Sequence, residues 1–138
     1  MLNPDGVACG NSRVDGNGTD LNRAYRSPSH KRHPAIFALK SLLLQLIRMN
    51  RLALYVDFHA HANKRGTFLY GNTLPMHSLA ESVLYAKLVS LHTPYFNFTS
   101  CNFSESNMYA VGKAGKGKDQ SSRVVLYLET GFTDAYTL

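Results

Sequence analysis

Two histidines follow a short apolar run near the middle of the chain. The run extends from Leu52 to Phe58, carries Asp57 near its end, and leads into His59 and His61. Such a run is typical of a buried parallel strand, and open α/β sheets collect ligands at the carboxyl ends of their strands. Because histidine is the commonest metal ligand, His59 is a candidate ligand, and His61 lies on the same face of an extended chain. A histidine that is simply hydrogen-bonded at the strand end is the structural alternative.

A second group of candidate residues, Arg13, Asn22 and Arg23, lies in the N-terminal segment. This segment, from Asn3 to Ser29, is rich in Asn, Asp, Gly, Pro and Ser, which favour turns over regular structure. A guanidinium group binds a carboxylate through two parallel hydrogen bonds, and an asparagine amide can complete such a clamp. The residue types therefore indicate a carboxylate site, although each residue taken singly is equally compatible with a solvated surface position.

Two helices are predicted on either side of the histidines. The first runs from Pro34 to about Asn50, because apolar residues recur there at helical spacing: Ile36, Leu39, Leu43 and Leu46. Proline near the first turn is harmless, because the amide hydrogen that it lacks has no helical partner there. The second helix is predicted from about Pro75 to His92, with a less regular apolar face.

The remaining segments predict further strands and a loop. Thr67 to Tyr70 and Arg123 to Glu129 have strand composition, and Val111 to Ser122 is rich in glycine and lysine, as flexible loops are. Strands that alternate with helices indicate an α/β fold. We therefore expect one domain over residues 1–138, with a mixed, mainly parallel sheet and crossover helices.

Composition and charge limit the class of protein. The chain has 138 residues, is 44% hydrophobic and carries a formal net charge of +6, which favours an anionic partner. The basic residues are scattered, which argues against nucleic acid and membrane as partners. Cys9 and Cys101 lack the spacing of a disulfide framework or a zinc knuckle and are expected to be free thiols. No signal-peptide core or membrane-spanning stretch is present, so a cytoplasmic location is expected.

Taken in order, these pieces resemble the central region of the cytosolic zinc carboxypeptidases. The motifs are Asn3-Pro4-Asp5-Gly6, Arg13, Asp20-Leu21-Asn22-Arg23, Asp57-Phe58-His59-Ala60-His61 and Lys64-Arg65-Gly66-Thr67-Phe68-Leu69-Tyr70-Gly71. Several motifs in the right order are harder to obtain by chance than any one of them. The chain is most similar to the branch of the family that removes glutamate, including branch-point glutamate, from modified tubulin tails.

The resemblance implies a role for each candidate residue. His59 matches a zinc ligand, Asn22 and Arg23 match the pair that grips the terminal carboxylate of the substrate, and Arg13 matches the arginine that stabilises the oxyanion. Acidic side chains of the substrate are expected to pass a further set of basic residues, namely His61, Lys64 and Arg65.

The resemblance also implies a reaction and a cofactor. In the family, a zinc ion lowers the pKa of its bound water, and the resulting hydroxide attacks the last peptide bond of an acidic peptide such as a tubulin C-terminal tail. Its other zinc ligands come from a His-x-x-Glu motif and its general base from a Glu after Tyr-Thr-Leu, and this chain contains neither. Glu129 is interpreted as an ordinary strand-end carboxylate. We therefore expect a catalytic domain that is incomplete at both ends and catalyses little alone.

Two other function classes compete with the peptidase. A non-catalytic module would use Arg13, Asn22 and Arg23 to bind an acidic C-terminal tail without cleaving it, and zinc-dependent release of glutamate separates the two. A nucleic-acid-binding domain rests on the net charge alone, because the sequence has no recognisable module and no alternation of aromatic and basic residues.

Overall fold

The computed structural model describes residues 1–61, 64–111, 115 and 117–138. Its α-helices are α1 (Pro4–Ala8), α2 (Pro34–Arg48), α3 (Met76–His92), α4 (Glu105–Met108) and α5 (Ser122–Thr130). Its strands are β1 (Tyr55–Asp57) and β2 (Ala135–Thr137). Short 3-10 turns lie at Leu21–Arg23, Phe98–Ser100 and Lys118–Gln120.

The sheet is built by parallel pairing of β1 with β2. Tyr55 pairs with Ala135 and Asp57 with Thr137. An antiparallel bridge joins Tyr70 to Thr137 on the other side of β2. Helices connect these extended segments, so the expected α/β fold with a mixed, mainly parallel sheet is confirmed.

Helices cover both faces of β2. Ala135 is fully buried in a cluster with Leu43 of α2 and Leu126 of α5. The next residue, Tyr136, points to the opposite face, where it packs in a cluster with Ala86 of α3. Successive side chains of a strand alternate between faces, so this arrangement places the sheet between two helical layers.

Helices α2 and α3 confirm the two predicted helices. Pro34 occupies the first turn of α2, and the inward face of that helix buries Ile36 and Leu43. In α3 only the small residues Ser82 and Ala86 are fully buried, which is why its apolar face was less regular in sequence. Among the described helices, none has the length and hydropathy that a membrane span requires.

The prediction of a strand from Arg123 to Glu129 was wrong, because these residues belong to helix α5. Val124 and Val125 favour strands by composition, but residues 122–126 are buried in the first turns of a helix, where the polar residues Ser122 and Arg123 are buried as well. The helix ends at Gly131, whose φ of 74° is the left-handed conformation of a glycine C-cap. Tertiary burial therefore overrode local strand propensity.

Two other segments differ from the sequence-based expectation. The predicted strand from Thr67 to Tyr70 is not a strand. Thr67 forms an isolated bridge with Phe96, and Tyr70 forms one with Asn102. The predicted loop from Val111 to Ser122 lies partly outside the described residues. Its described end forms the 3-10 turn Lys118–Gln120.

The N-terminal segment is mostly irregular, as expected, and is held together by asparagine and aspartate side chains. Asn3 caps α1 by accepting a hydrogen bond from the Gly6 amide, and its own amide donates to the Val14 carbonyl. Asp15 accepts hydrogen bonds from the amides of Asn17 and Thr19. These local bonds give the loop a defined path toward the sheet.

An ion pair links α2 to the end of α5. The ammonium group of Lys40, whose residue is only 9% exposed, lies 2.7 Å from a carboxylate oxygen of Glu129. The same ammonium group donates a hydrogen bond to the Arg26 carbonyl. Glu129 therefore has a structural role at a helix end, although the element that carries it is not the strand that the sequence predicted.

We expect Glu129→Ala to destabilise the chain, because it leaves the buried ammonium group of Lys40 without its charge partner. Loss of a partner from a buried donor costs about 1–3 kcal/mol. The matched control is Lys40→Met, which removes the charge itself, keeps the apolar stem and should cost less. Urea unfolding gives both free energies, and an equal or larger loss in the control would contradict the assignment of the ion pair.

Candidate functional site

The sequence-predicted residues converge at the carboxyl end of β1 and β2. Backbone pairing continues beyond both strands, because the His59 amide donates to the Leu138 carbonyl at 2.7 Å and the Leu138 amide donates to the Asp57 carbonyl at 3.0 Å. This ladder fixes the backbone of His59 at the edge of the sheet. The position agrees with the rule that ligands bind at the carboxyl ends of parallel strands.

A cavity of about 180 Å³ gathers residues that are far apart in sequence. Among the residues that line it are Arg13, Asn22, Arg23, His59 and His61. An adjoining cavity of about 350 Å³ shares His59 and His61 and adds Lys64. The structure thus brings together six of the seven predicted site residues. The exception is Arg65, which is exposed and lines neither cavity.

Arg13 is oriented by an ion pair with Asp20. Its Nε and Nη2 atoms lie 2.9 and 2.6 Å from the same carboxylate oxygen, Oδ2. The other oxygen of Asp20 accepts the Asn22 amide hydrogen and caps the turn Leu21–Arg23. The Arg13 side chain is 63% exposed, so this ion pair adds little stability and mainly sets the direction of the guanidinium group.

The turn Leu21–Arg23 presents two polar side chains at the cavity. The Asn22 Nδ2 atom lies 2.9 Å from Nε2 of His59, and Asn22 Oδ1 accepts a hydrogen bond from the backbone amide of Ser122. Arg23 folds back so that Nη1 donates to the Asn22 carbonyl. Burial is the main cause that lowers the pKa of Arg23, and the positive charge of Arg13 adds to it.

Asp57 orients the imidazole ring of His59. Its Oδ2 atom lies 3.0 Å from Nε2 of His59 and also accepts a hydrogen bond from the Ser122 hydroxyl at 2.9 Å. Since Nε2 faces the carboxylate, Nδ1 is the ring nitrogen left for a metal. Metal-binding histidines commonly donate the N–H of their other ring nitrogen to a carboxylate.

The described residues fit one metal ligand and not a whole zinc centre. A catalytic zinc usually takes three protein ligands. Within residues 1–61, 64–111, 115 and 117–138, no group of three His, Cys, Asp or Glu side chains is close enough to hold a metal ion. His59 is therefore a candidate for a single ligand position.

Two cavity residues, Lys118 and Arg123, were missed as site residues at the sequence level. The Lys118 ammonium group lies 4.8 Å from the ring centroid of Tyr70. Burial is the main cause that lowers the pKa of Lys118, and the charges of Arg123, Arg23 and Lys64 lower it further. The sequence places Lys118 in the predicted flexible loop from Val111 to Ser122, and only the tertiary structure brings it to the cavity.

Arg123 is the most deeply buried cation of the site, at 2% exposure. Its guanidinium group donates to three neutral acceptors, the Gly71 carbonyl and the side chains of Asn72 and Asn107. Burial lowers its pKa to about 10. The signal available in the sequence was a charged residue directly before an apolar run. Because that run was assigned to a strand, Arg123 was not recognised as a site residue.

The cations make the cavity a site for anions. Four guanidinium or ammonium groups line it, from Arg13, Arg23, Lys118 and Arg123, and no Asp or Glu side chain among the described residues lines it. Such concentrated positive charge in a concave site attracts negatively charged ligands. The arrangement can bind a carboxylate next to the imidazole of His59.

Comparisons with known proteins agree with this arrangement. No protein-family model matches the chain. The chain is 31% identical to cytosolic carboxypeptidase-like protein 5 of Ailuropoda melanoleuca, and the match covers 100% of this chain and 26% of that protein. It is 36% identical to cytosolic carboxypeptidase 1 of Homo sapiens, over 100% of this chain and 12% of that protein. The chain thus spans about a quarter or less of these relatives.

The fold matches solved structures at lower identity. A metallo-carboxypeptidase from Burkholderia cenocepacia superposes with a TM-score of 0.72 and 19% identity, over 99% of this chain and 33% of that structure. At this identity the structural similarity shows only a shared fold. The relationship to the cytosolic carboxypeptidases rests on the sequence matches. The chain is homologous over its whole length to the cytosolic carboxypeptidases and has part of the metallocarboxypeptidase fold.

Proposed function

We propose that the chain forms the substrate-binding part of a zinc metallocarboxypeptidase that releases C-terminal or branch-point glutamate from acidic protein tails such as those of tubulin. One observation carries the proposal: Arg13, Asn22, Arg23 and His59 line a single cavity although they are far apart in sequence. The names of the relatives support a carboxypeptidase-type reaction in the cytosol.

In this proposal, the terminal carboxylate of the substrate lies between Asn22 and Arg23. A guanidinium group and an amide provide directed donors for both carboxylate oxygens, and burial of Arg23 strengthens its attraction for an anion. Arg13 lies on the same cavity wall, where its charge can stabilise negative charge on the scissile carbonyl oxygen. The clamp selects the last residue of a chain, which is the property of an exopeptidase.

His59 is proposed as one ligand of the zinc ion. Asp57 supports the ring through Nε2, so the metal would be held through Nδ1. The described residues do not form the rest of such a centre, and the steps of hydrolysis are therefore not assigned to them. These residues bind and orient the C-terminal end of the peptide and stabilise its negative charge.

Acidic tails are proposed as the substrate because the cavity retains positive charge beyond what one carboxylate needs. Lys118 and Arg123 have no carboxylate partner among the described residues. A glutamate side chain next to the terminal carboxylate supplies a second negative charge. In the adjoining cavity, His61 and Lys64 can meet acidic residues further back in the tail.

A second candidate function is a binding module that recognises acidic C-terminal tails without cleaving them. The specific observation in its favour is that no Asp or Glu among the described residues lines the cavity, so no carboxylate base faces the place where the peptide bond would lie. Zinc content and glutamate release separate the two functions. They should be measured for this chain and for the longest protein that its gene encodes.

We expect His59→Ala in that longest protein to abolish both zinc binding and glutamate release. An imidazole ligand cannot be replaced by a methyl group, and a catalytic site with two protein ligands holds zinc poorly. The control is His92→Ala, which changes an exposed histidine in the last turn of α3. Binding of an acidic peptide without zinc or cleavage in the unmutated protein would favour the binding module.

We expect Arg23→Ala to weaken binding of a glutamate-terminated peptide by about 10- to 100-fold, because a charge-assisted hydrogen bond contributes roughly 1.5–3 kcal/mol. The same peptide with a C-terminal amide should bind weakly to both forms of the chain. Arg48→Ala is the matched control, because Arg48 is an exposed arginine at the end of α2 that lines neither cavity. Titration calorimetry gives the affinities, and equal losses for acid and amide would contradict the clamp.

We expect Lys118→Gln to reduce the preference for a Glu-Glu terminus over a Gln-Gln terminus by roughly tenfold, which corresponds to about 1.4 kcal/mol. The charge on Lys118 acts inside a partly buried cavity, where it is screened less than at the surface. Lys87→Gln is a matched control, because Lys87 also lies over an aromatic ring, that of Phe98, but lines neither cavity. An unchanged preference would exclude Lys118 as a determinant of acidic substrates.

A further inference from the structure

We propose that Tyr70 is a positioning residue that holds two ammonium groups, those of Lys64 and Lys118, at the junction of the two cavities, so that neighbouring acidic side chains of one tail are recognised together. The inference rests on the proposed function, which places an acidic peptide end in these cavities. Tyr70 lines both cavities, whereas Lys64 lines only the larger one and Lys118 only the smaller one. Tyr70 therefore lies where the tail would pass from one cavity into the other.

Both ammonium groups lie over the ring of Tyr70. The Nζ atom of Lys118 is 4.8 Å from the ring centroid, and that of Lys64 is 5.4 Å from it. A cation within about 6 Å of a ring centroid is attracted by the negative face of the ring. Because one centroid is shared, the two ammonium groups are separated by no more than the length of about three residues of extended peptide. They can therefore meet neighbouring side chains of one tail.

The ring is a suitable platform because its own position is fixed. The Tyr70 amide donates to the Thr137 carbonyl at 2.8 Å, and the Thr137 amide donates back to the Tyr70 carbonyl at 3.0 Å. The ring also meets that of Phe68 edge to face, with 5.4 Å between the ring centroids, and Phe68 is buried. A lysine side chain is a flexible four-carbon stem, so contact with a fixed ring restricts where each ammonium group can lie.

The two ammonium groups repel each other, and the described part of the chain supplies no carboxylate that balances them. Neither Lys64 nor Lys118 takes part in an ion pair among the described residues. Lys64 donates to the Ser100 carbonyl at 3.3 Å, which is a neutral acceptor. Burial is the main cause that lowers the pKa of Lys118, and the charge of Lys64 is one of those that lower it further. The carboxylates of an acidic tail would relieve this repulsion at both positions.

The shared ring makes the two lysines act as one recognition element. Without the aromatic face, the two charges would move apart into solvent, because nothing else would offset their repulsion. With it, both charges stay at the junction of the cavities and face the side chains of the tail. The terminal carboxylate is bound by Asn22 and Arg23 and does not depend on Tyr70. Tyr70 therefore contributes to the preference for acidic side chains and not to recognition of the chain end.

The test compares Tyr70→Leu, which removes the aromatic face, with Tyr70→Phe, which keeps it. Titration calorimetry on the full chain gives the affinities for peptides that end in Glu-Glu-Glu and in Gln-Gln-Gln, which have the same terminal carboxylate. We expect Tyr70→Leu to reduce the preference for the Glu peptide by about three- to tenfold and Tyr70→Phe to retain it. Affinity for the Gln peptide should be the same in all three forms.

A second measurement reports the position of an ammonium group directly. Protons over the face of an aromatic ring are shifted upfield in the NMR spectrum, so the methylene protons next to Nζ of Lys118 should be shifted in the native chain and in Tyr70→Phe but not in Tyr70→Leu. The internal control is Lys87, whose Nζ atom lies 5.1 Å from the ring centroid of Phe98 and whose signals should be the same in every form.

If Tyr70→Leu does not fold, pentafluorophenylalanine at position 70 serves instead. It keeps the shape of the ring but removes the negative potential of its face, so the same loss of preference and the same loss of the Lys118 shift are expected. A merely structural role of the ring would leave both unchanged.

Several results would overturn the proposal: an unchanged preference in Tyr70→Leu or in the fluorinated form, an equal loss in Tyr70→Phe, or a Lys118 shift that does not respond to loss of the aromatic face. An equal loss of affinity for both peptides would also overturn it. The proposed function fails in a different way. No preference for the Glu peptide in the native chain would exclude an acidic substrate, whereas a preference that persists in Tyr70→Leu would remove only the role of Tyr70.

Discussion

The parallel pairing of β1 with β2 is the contact that fixes the sheet edge on which the site is built. It joins Asp57 to Thr137 and continues as a ladder to His59 and Leu138, so the polar residues after β1 lie at a fixed distance from the end of β2. Parallel strands cannot be joined by a tight turn, and the intervening chain must cross over the sheet. That crossover brings α5 beside the end of β1, where its first turn meets the loop that carries Asn22.

The cavity has a positive potential because the carboxylates near it are already paired with other groups. Asp20 is paired with Arg13, and Asp57 accepts hydrogen bonds from Ser122 and His59. Arg123 is buried among neutral acceptors, which satisfy its hydrogen atoms but not its charge. Because hydrogen bonding and charge balance are separate requirements, the site is complete in the first and open in the second. An anionic ligand would supply the charge balance that the neutral acceptors do not.

The sequence was sufficient to predict the elements whose periodicity or position is local. Helix α2 shows regular apolar spacing after a proline, and β1 is a short apolar run that ends in polar residues, so both were found. Helix α5 was assigned to a strand because residues 122–126 are all buried and include the adjacent β-branched residues Val124 and Val125, which favour strands by composition. The glycine that caps it, Gly131, is a helix stop signal that the sequence analysis did not use.

The same error explains which parts of the site escaped prediction. Residues recognised by ordered motifs, such as Arg13 and His59, do meet in space, but spacing alone does not reveal that Asn22 lies against His59 or that Asp57 faces Nε2. Ser122 and Arg123 could not be placed, since in a strand adjacent side chains point to opposite faces and only one of the two would approach the site. In helix α5, Ser122 lies against Asp57 and Arg123 lines the cavity. Both residues therefore belong to the site only when the segment is a helix.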